Sequence, residues 1–350
     1  MRRLRVGVIM GGQSAEREVS LASGQNIISN LDKKKYVTVP IEITARGEWV
    51  LPVSLLRPGG GSKAKESVPS EDLQVPTIFP IMVDGRLVGM SLSELIDVAF
   101  IALHGPLGED GTVQGVLELA GIPYTGSRLL ASALGMNKLL SKKIFLHQGL
   151  PVAPFLSVEA IQWKQDSRSL IQKTQNLGFP VVVKPVAQGS SIGVTIVKQK
   201  EELDHALELA FNYDPIAIVE KYLRGKEIQV GIIGNRDLLP LPPIEIVSKK
   251  EFFDYEAKYD PTKAEEIVPA RISQAETRLL QDLAVRAYQA LGCRGFARID
   301  MFLCRGRPFV SEVNTIPGLT SGSLFPKEAR AAGMEFPELL DRLIQLALER

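Results

Sequence analysis

A mixed α/β fold of α+β character, spread over two or three domains, is what this sequence predicts, and three observations carry the prediction. The chain opens on "LRVGVIM", a short β-rich run closed by Gly11-Gly12. "SAEREVSLASGQNIISNL" follows with apolar residues at helical spacing (Val19, Leu21, Ile27, Ile28, Leu31), so the start reads strand, glycine turn, helix. Further apolar strand runs and amphipathic helical runs continue down the chain. The length, 350 residues, is too great for one small core.

The elements follow in order. "VTVPIEI" reads as the second strand. Residues 57–74, rich in Gly, Ser, Pro and charge, read as an exposed loop within the first domain. "LIDVAFIAL" is another buried strand, ending at His104-Gly105. "GTVQGVLELAGIPYTG" is a helix stopped by Gly121 and then a short strand. A domain boundary falls near 125–129, followed by one helix over "SALGMNKLLSKKIFLHQG", ended by Gly149 and Pro151. "FPVVVKP" and "VTIVK" are strands around the loop "QGSSIG", and 200–212 is an amphipathic helix. "AIVEKYL", "KEIQVGIIG" and "LLPLPPIEIV" are three more strands. Residues 248–270, charged and aromatic, show no regular period, and 252–266 within them read as a mobile lid. "SQAETRLLQDLAVRAYQALG" is a helix capped by Ser273 and stopped by Gly292. A hairpin over 295–318 and an amphipathic helix from Phe336 close the chain.

Composition excludes some classes of function. The chain is 45% hydrophobic and 23% charged, as soluble globular proteins are, and its formal net charge of +1 suggests neither a nucleic-acid backbone nor an acidic membrane as partner. No apolar run is long enough to span a bilayer. The two cysteines, Cys293 and Cys304, form no disulfide framework and suit a reducing cytoplasm as free thiols.

The hairpin carries polar residues two apart in otherwise apolar runs: Arg298 and Asp300 on one strand, Glu312 and Asn314 on the other. Side chains two apart share a face of a strand. Asp300, Glu312 and Asn314 offer only oxygen, which hard divalent cations such as Mg²⁺ prefer; a solvated hairpin face would show the same alternation. Lys184 ends a buried strand before Gly189, Ser190, Ser191 and Gly193, a loop whose N–H groups could cradle phosphate or simply turn the chain. Lys138 could meet phosphate, but spacing alone favours one solvated helix lysine among several. Glu220, Tyr222 and Glu227 could read a nucleotide or lie on the surface. Glu16 stands where the first helix begins, to hold an ammonium or favour the helix dipole. His104 follows a strand and is either structural or part of a site.

Taken in order, "GGQSAEREVSL", "ALHGPLGEDGTVQG", "VVVKP…QGSSIG", "FFDYEAKYD", "ARIDMF" and "EVNTIPGLTSGS" resemble the D-alanine–D-alanine ligases, ATP-grasp enzymes of bacterial cell-wall synthesis, over nearly the whole chain. The resemblance implies an ATP-grasp fold with an N-terminal Rossmann-like α/β domain (1–126), a central domain (127–218) and a C-terminal domain with metal site and lid (219–350). It implies two D-alanines joined at the expense of ATP through a D-alanyl phosphate, in the cytoplasm, by a homodimer. Nucleic acid and membrane are not partners. Ligases that accept D-lactate or D-serine, and a non-catalytic nucleotide sensor, are the alternatives.

Residue roles follow from the same resemblance. Asp300, Glu312 and Asn314 match ligands of two Mg²⁺ ions, with Mn²⁺ as a substitute and K⁺ an activator in some members. Lys138 and Lys184 match the lysines on ATP phosphates. Glu220, Tyr222 and Leu223 match the adenine hinge, and Glu227 the ribose contact. Glu16 matches the residue that holds the first ammonium, with His104 close to that substrate. Arg298 and the Gly318 N–H match the oxyanion hole, and Ser323 and Leu324 the site of the second carboxylate. Ser190 and Tyr259 match the partners that tie Glu16 to the lid, with Lys258 beside them. One departure is Asn137, where the family usually has aspartate.

Overall fold

The computed structural model describes residues 2–51, 82–83, 86–87, 91–248 and 264–349. Strand β1 (Leu4–Gly11) is buried from Val6 onward and runs into a turn at Gly11 and Gly12, with φ of 91° and 97°. A side chain on Gly11 would collide with the Ile43 carbonyl, so the turn requires glycine here. Helix α1 (Arg17–Asn30) follows, then β2 (Tyr36–Ile43) and β3 (Trp49–Val50). A small antiparallel pair, β4 (Met82–Val83) with β5 (Arg86–Leu87), precedes α2 (Leu92–Leu95) and β6 (Val98–Ile101). The first sheet has the order β3-β2-β1-β6, with β1 parallel to both β2 and β6. Helices cover such a sheet, which explains the continuous apolar run of β1. Helix α3 (Thr112–Leu119) ends before Gly121 as expected, but the strand expected after it is a single bridge from Tyr124 to Ala99. The Gly/Ser-rich loop expected over 57–74 lies outside the described residues.

The single helix expected after the first boundary is two, α4 (Leu129–Met136) and α5 (Lys138–His147). Asn137 divides them. Its backbone leaves the helical region (φ −88°, ψ 95°), and its side chain accepts a hydrogen bond from the Leu140 N–H. Asn and Asp are interchangeable in that capping role, so the departure from aspartate leaves the local structure intact. Beyond lie β7 (Phe155–Glu159), α6 (Ala160–Gln165), α7 (Ser167–Leu177), β8 (Val181–Pro185), β9 (Thr195–Val197), α8 (Leu203–Phe211) and β10 (Ile216–Lys221). They build the antiparallel sheet β7-β10-β8-β9. The division expected after residue 218 falls inside β10, which pairs with β7 and β8 throughout; the second sheet ends at Lys221.

The third sheet has the order β14-β13-β11-β15-β16, with β12 beside β11. Its strands are β11 (Lys226–Ile233), β12 (Leu239–Pro240), β13 (Ile244–Ser248), β14 (Ala264–Ile267), β15 (Phe296–Cys304) and β16 (Arg307–Asn314). Helix α9 (Gln274–Ala290) starts in a full capping box of Ser273 and Glu276 and packs Leu280, Leu283, Ala287 and Tyr288 under the sheet. Two helices end the described chain, α10 (Leu324–Ala331), which the apolar periodicity does not announce, and α11 (Phe336–Leu348). Leu339, Leu340, Leu343 and Ile344 of α11 share one core with Val6 and Val8 of β1, Ile27 of α1 and Phe296 of β15. The first and third sheets are thereby fixed to each other, and the C-terminal end of β1 is held near the hairpin.

The break at Asn137 is testable. Asn137→Ala should cost about 1 kcal/mol of stability through the lost cap, and Asn137→Asp should cost almost nothing, as read from urea midpoints.

Candidate functional site

The hairpin places its polar residues as their spacing suggested. Arg298 pairs with Asn314 across the strands and Asp300 with Glu312, and the register shifts immediately afterwards, between Asp300 and Met301. The ladder residues between them, Ile299 and Val313, point into the core under α9, so all four polar side chains share the opposite face. Arg298 donates to both oxygens of Asp300 at 2.7 and 2.8 Å. Burial would weaken the guanidinium's charge, but Asp300 outweighs it and holds the group firmly protonated. Asn314 Oδ1 is buried and has no hydrogen-bond partner among the described residues. That unpartnered oxygen beside two carboxylates fits a hard cation better than a solvated hairpin face. Among the described residues no group of three or more His, Cys, Asp or Glu is poised for a metal, so the candidate set is two carboxylates and one amide.

The lysines differ from a solvated helix face. Lys138, at the start of α5, is only 8% exposed; its ammonium donates to the Gln188 carbonyl and lies 3.4 Å from Glu312. One turn on, Lys142 is fully buried. It meets Glu220 at 2.9 Å, off the hydrogen-bond directions, while Lys184 meets the other oxygen of Glu220 at 2.5 Å. Burial would raise the Glu220 carboxyl, but Lys142 and Lys184 together hold it down at about 2. Burial lowers Lys142, because its attraction to Glu220 is partly offset by Lys184; Lys184 is raised, since Glu220 and Glu312 overcome burial. Lys142 is a site residue that sequence reasoning missed. Its signal was the spacing to Lys138, which puts both lysines on one helix face. Glu220 correspondingly differs from a plain hinge residue, since both its oxygens meet ammonium groups.

Six of the seven residues expected to hold nucleotide, Lys138, Lys184, Glu220, Tyr222, Leu223 and Glu227, line one cavity of about 400 Å³ between the second and third sheets; the seventh, Lys258, lies outside the described residues. Asp300 and Glu312 line it too, as do Gly189, Ser190 and Ser191 from the loop after β8. Ser190 and Ser191 adopt left-handed φ of 47° and 58°, unusual for residues with a side chain and worth about 1–2 kcal/mol of strain each. The loop is curled on itself, with the Ile192 N–H bonded to the Gly189 carbonyl and the Val194 N–H to the Ser191 carbonyl.

Beyond the loop lies a second cluster. Ser190 donates a short hydrogen bond to Glu16, the residue at the N-cap of α1. Glu16 is flanked closely by glycines: a Cβ would come within 2.8 Å of its Oε2 at Gly105 and 3.2 Å at Gly189. His104 is buried, contacts Ser23 Oγ through Nε2 at 3.1 Å, and is kept neutral by burial against the pull of Glu16. Glu109, a second residue that sequence reasoning missed, accepts from the Gly105 N–H at 2.8 Å and is pushed up to about 8 by burial and then by Glu16. Its signal was an acidic pair, Glu109-Asp110, inside a glycine-bounded turn. Gly318 and Ser323 meet on the far side, where a Cβ on Gly318 would lie 2.8 Å from Ser323 Oγ. Ser323 is the N-cap of α10 and Leu324 its first residue, and Ser323 Oγ accepts from the Thr320 N–H at 3.0 Å. Lys258 and Tyr259, and with them most of the expected lid, lie outside the described residues; its described end is not irregular, since Ala264–Ile267 forms β14 and pairs with β13.

Comparison with known proteins adds a family. Residues 5–127 match the family described as "D-ala D-ala ligase N-terminus" and residues 144–345 the family described as "D-ala D-ala ligase C-terminus". A protein of Pelotomaculum thermopropionicum named D-alanine–D-alanine ligase is 43% identical, with 99% of this chain and 97% of that protein covered. One of Desulforudis audaxviator with the same name is 44% identical, with 99% of each covered. Among solved structures, the VanG D-Ala:D-Ser ligase of Enterococcus faecalis superposes with a TM-score of 0.81 at 35% identity, covering 99% of this chain and 100% of that one. The D-alanine–D-alanine ligase of Bacillus anthracis complexed with ATP superposes with a TM-score of 0.75, also at 35% identity, covering 99% and 97%.

The buried triad makes a graded prediction. Lys142→Met leaves one lysine facing one carboxylate, whereas Glu220→Gln leaves two buried ammonium groups facing each other. Glu220→Gln should therefore cost about 3–5 kcal/mol and Lys142→Met clearly less, by chemical denaturation. The Glu220 carboxyl is depressed from its ordinary 4.5 to about 2. Its contribution is complete above pH 4.5 and fades as pH falls toward 2, and that acid-side slope should be missing in Glu220→Gln.

Proposed function

The chain belongs to the D-alanine–D-alanine ligase family, and we propose that it uses ATP to join two D-alanines through a D-alanyl phosphate, for peptidoglycan precursors. The observation that carries the site assignment is the hairpin face. It carries a paired guanidinium and three oxygen-bearing side chains, two of which, Asp300 and Glu312, line the cavity beside the Ser190 loop.

In this reading ATP occupies the cavity, with its adenine at Tyr222 and Leu223, its ribose at Glu227 and its phosphates at Lys138, Lys184 and the Ser190 loop. Glu220 acts as the counter-ion that keeps Lys184 extended toward the phosphates and braces it against Lys142. Glu16 holds the ammonium of the first D-alanine, with Ser190 fixing the carboxylate and neutral His104 behind it. The substrate carboxylate oxygen attacks the γ-phosphorus and ADP leaves. The amine of the second D-alanine, once it has lost a proton, attacks the acyl carbon. Arg298 and the Gly318 N–H receive the charge of the tetrahedral oxygen, the C–O bond to phosphate breaks, and dipeptide and inorganic phosphate remain. Ser323, Leu324 and the N-terminus of α10 receive the second carboxylate, where the helix dipole favours an anion.

Asp300, Glu312 and Asn314 would hold Mg²⁺, and Mn²⁺ suits the same oxygen set. Bound there, the cations would neutralise phosphate charge. We assign no residue to K⁺. Lys258 and Tyr259 complete the lid in this reading. The family resemblance also supports a cytoplasmic homodimer; among the described residues no helix is long and apolar enough to cross a membrane. The domains we propose are 1–126, 127 to the end of β10, and the remainder from β11 onward.

Incubation with ATP, Mg²⁺ and equal D-alanine, D-serine and D-lactate should give D-alanyl-D-alanine as the main product by mass spectrometry. A dominant D-alanyl-D-serine or D-alanyl-D-lactate would move the chain to another branch of the family. Glu312→Gln should fold normally and turn over about 10²-fold more slowly, with a raised Mg²⁺ requirement; wild-type turnover at low Mg²⁺ would remove Glu312 from the metal set.

A further inference from the structure

Glu328 lies on α10, one turn after the N-terminal residues Ser323 and Leu324, and is completely buried. Its Oε1 accepts a hydrogen bond from the Gly231 N–H at 2.9 Å, and its Oε2 has no partner among the described residues. Burying a carboxyl on a single hydrogen bond is costly, and an apolar residue of similar size would fill the same space more cheaply. The placement of Gly231 suggests what the carboxyl does. Gly231 faces Arg298 across β11 and β15. On its other side, β13 pairs with residues 227–229 and β12 with 232–233, so the Gly231 N–H falls in a gap between neighbouring strands. The Gly231 carbonyl is taken by the Leu241 N–H, and Glu328 reaches in from the helix to take the N–H. The absent side chain matters as well. A Cβ on Gly231 would come within 2.8 Å of Phe325 Cε2, so α10 approaches the strand closely only because this residue is glycine.

We propose that Glu328 is a positioning residue for the second substrate: its bond to Gly231 locks α10 in register with the strand opposite Arg298, and so sets the distance between the second-carboxylate site and the oxyanion site. This rests on the functional reading above, which places the second D-alanine at Ser323 and Leu324. The amine must meet the acyl carbon within a few tenths of an ångström, and a helix free to slide on the sheet would loosen that approach while leaving ATP and the first D-alanine untouched. Burial, opposed by the Gly231 N–H and Arg298, pushes the Glu328 carboxyl up to about 8. The group is largely uncharged near neutrality, and glutamine is its close substitute.

The test is steady-state kinetics of the full chain, following ADP release and dipeptide, with separate KM values for ATP and the first and second D-alanine. Glu328→Ala should raise the second D-alanine KM about tenfold and leave the other two within about twofold. Glu328→Gln keeps an acceptor for Gly231 and should stay within about twofold of wild type in all three. Gly231→Ala, which keeps Glu328 but presses on Phe325, should reproduce the selective rise and stands in if Glu328→Ala does not fold. A parallel rise in all three constants, no rise in either variant, or failure of glutamine to rescue would overturn the proposal. Absence of dipeptide from the wild type would overturn the functional reading and this inference with it. Dipeptide formation with unselective kinetics in the variants would overturn the inference alone.

Discussion

Charge buried against charge is the constraint on which the site depends. A phosphate-handling cleft needs cations, and ions of one sign cannot share a low-dielectric pocket without counter-ions. Here nearly every buried charge is answered locally: Lys142 and Lys184 by Glu220, Lys138 by Glu312, and Arg298 by Asp300. These pairs make the pocket compatible with folding before any anion arrives. They also fix side chains that would otherwise lose considerable rotamer freedom on binding, which is the physical content of preorganisation. The net result is a surface of paired charges, with Asn314 Oδ1, Lys142 Nζ and Glu220 Oε2 among the buried atoms that lack a hydrogen-bond partner among the described residues.

The second requirement is that three sheets contribute to one small region. Glu16 comes from the loop after β1, Ser190 from the loop after β8, and Arg298 and Asp300 from β15. Two devices bring them together. The C-terminal helix α11 shares a core with β1, α1 and Phe296, so the first sheet is fastened to the third. Small residues then permit close approach: Gly105 and Gly189 beside Glu16, Gly231 under Phe325, and Gly318 against Ser323. The hydrogen bond from Ser190 to Glu16 spans 174 residues of sequence and closes the gap between first and second sheets. Hydrophobic packing sets the coarse placement, and glycine contacts set the final one.

Much of this was legible in the sequence where a local rule governs. The β1–α1 opening, the Ser273 cap and the alternation of Arg298, Asp300, Glu312 and Asn314 each follow from period or capping chemistry, and each has its structural counterpart. What escaped depends on tertiary surroundings. Helical period treats the lysines of "NKLLSKK" as solvated, and only the packing of α5 against the second sheet shows Lys138 and Lys142 to be buried. The break at Asn137 was hidden because an apolar pattern runs across it, while a single side-chain cap ended one helix and began the next. Helix α10 spans only eight residues and contains a proline, lysine and glutamate, so the inward pair Phe325 and Ala329, with buried Glu328 beside them, is too brief a pattern to announce a helix. A strand crossing residue 218 could not be assigned to a sheet before its partners were known.

The central claim is that phosphoryl transfer and acyl transfer occur on one continuous surface, so that the carboxylate of the first D-alanine is itself phosphorylated. Its most direct test is the fate of carboxylate oxygen. With D-alanine labelled with oxygen-18 in its carboxylate, turnover with ATP and Mg²⁺ should deliver one labelled oxygen to each inorganic phosphate released, in step with dipeptide formation. Unlabelled phosphate, or label recovered in AMP with release of pyrophosphate, would contradict the account.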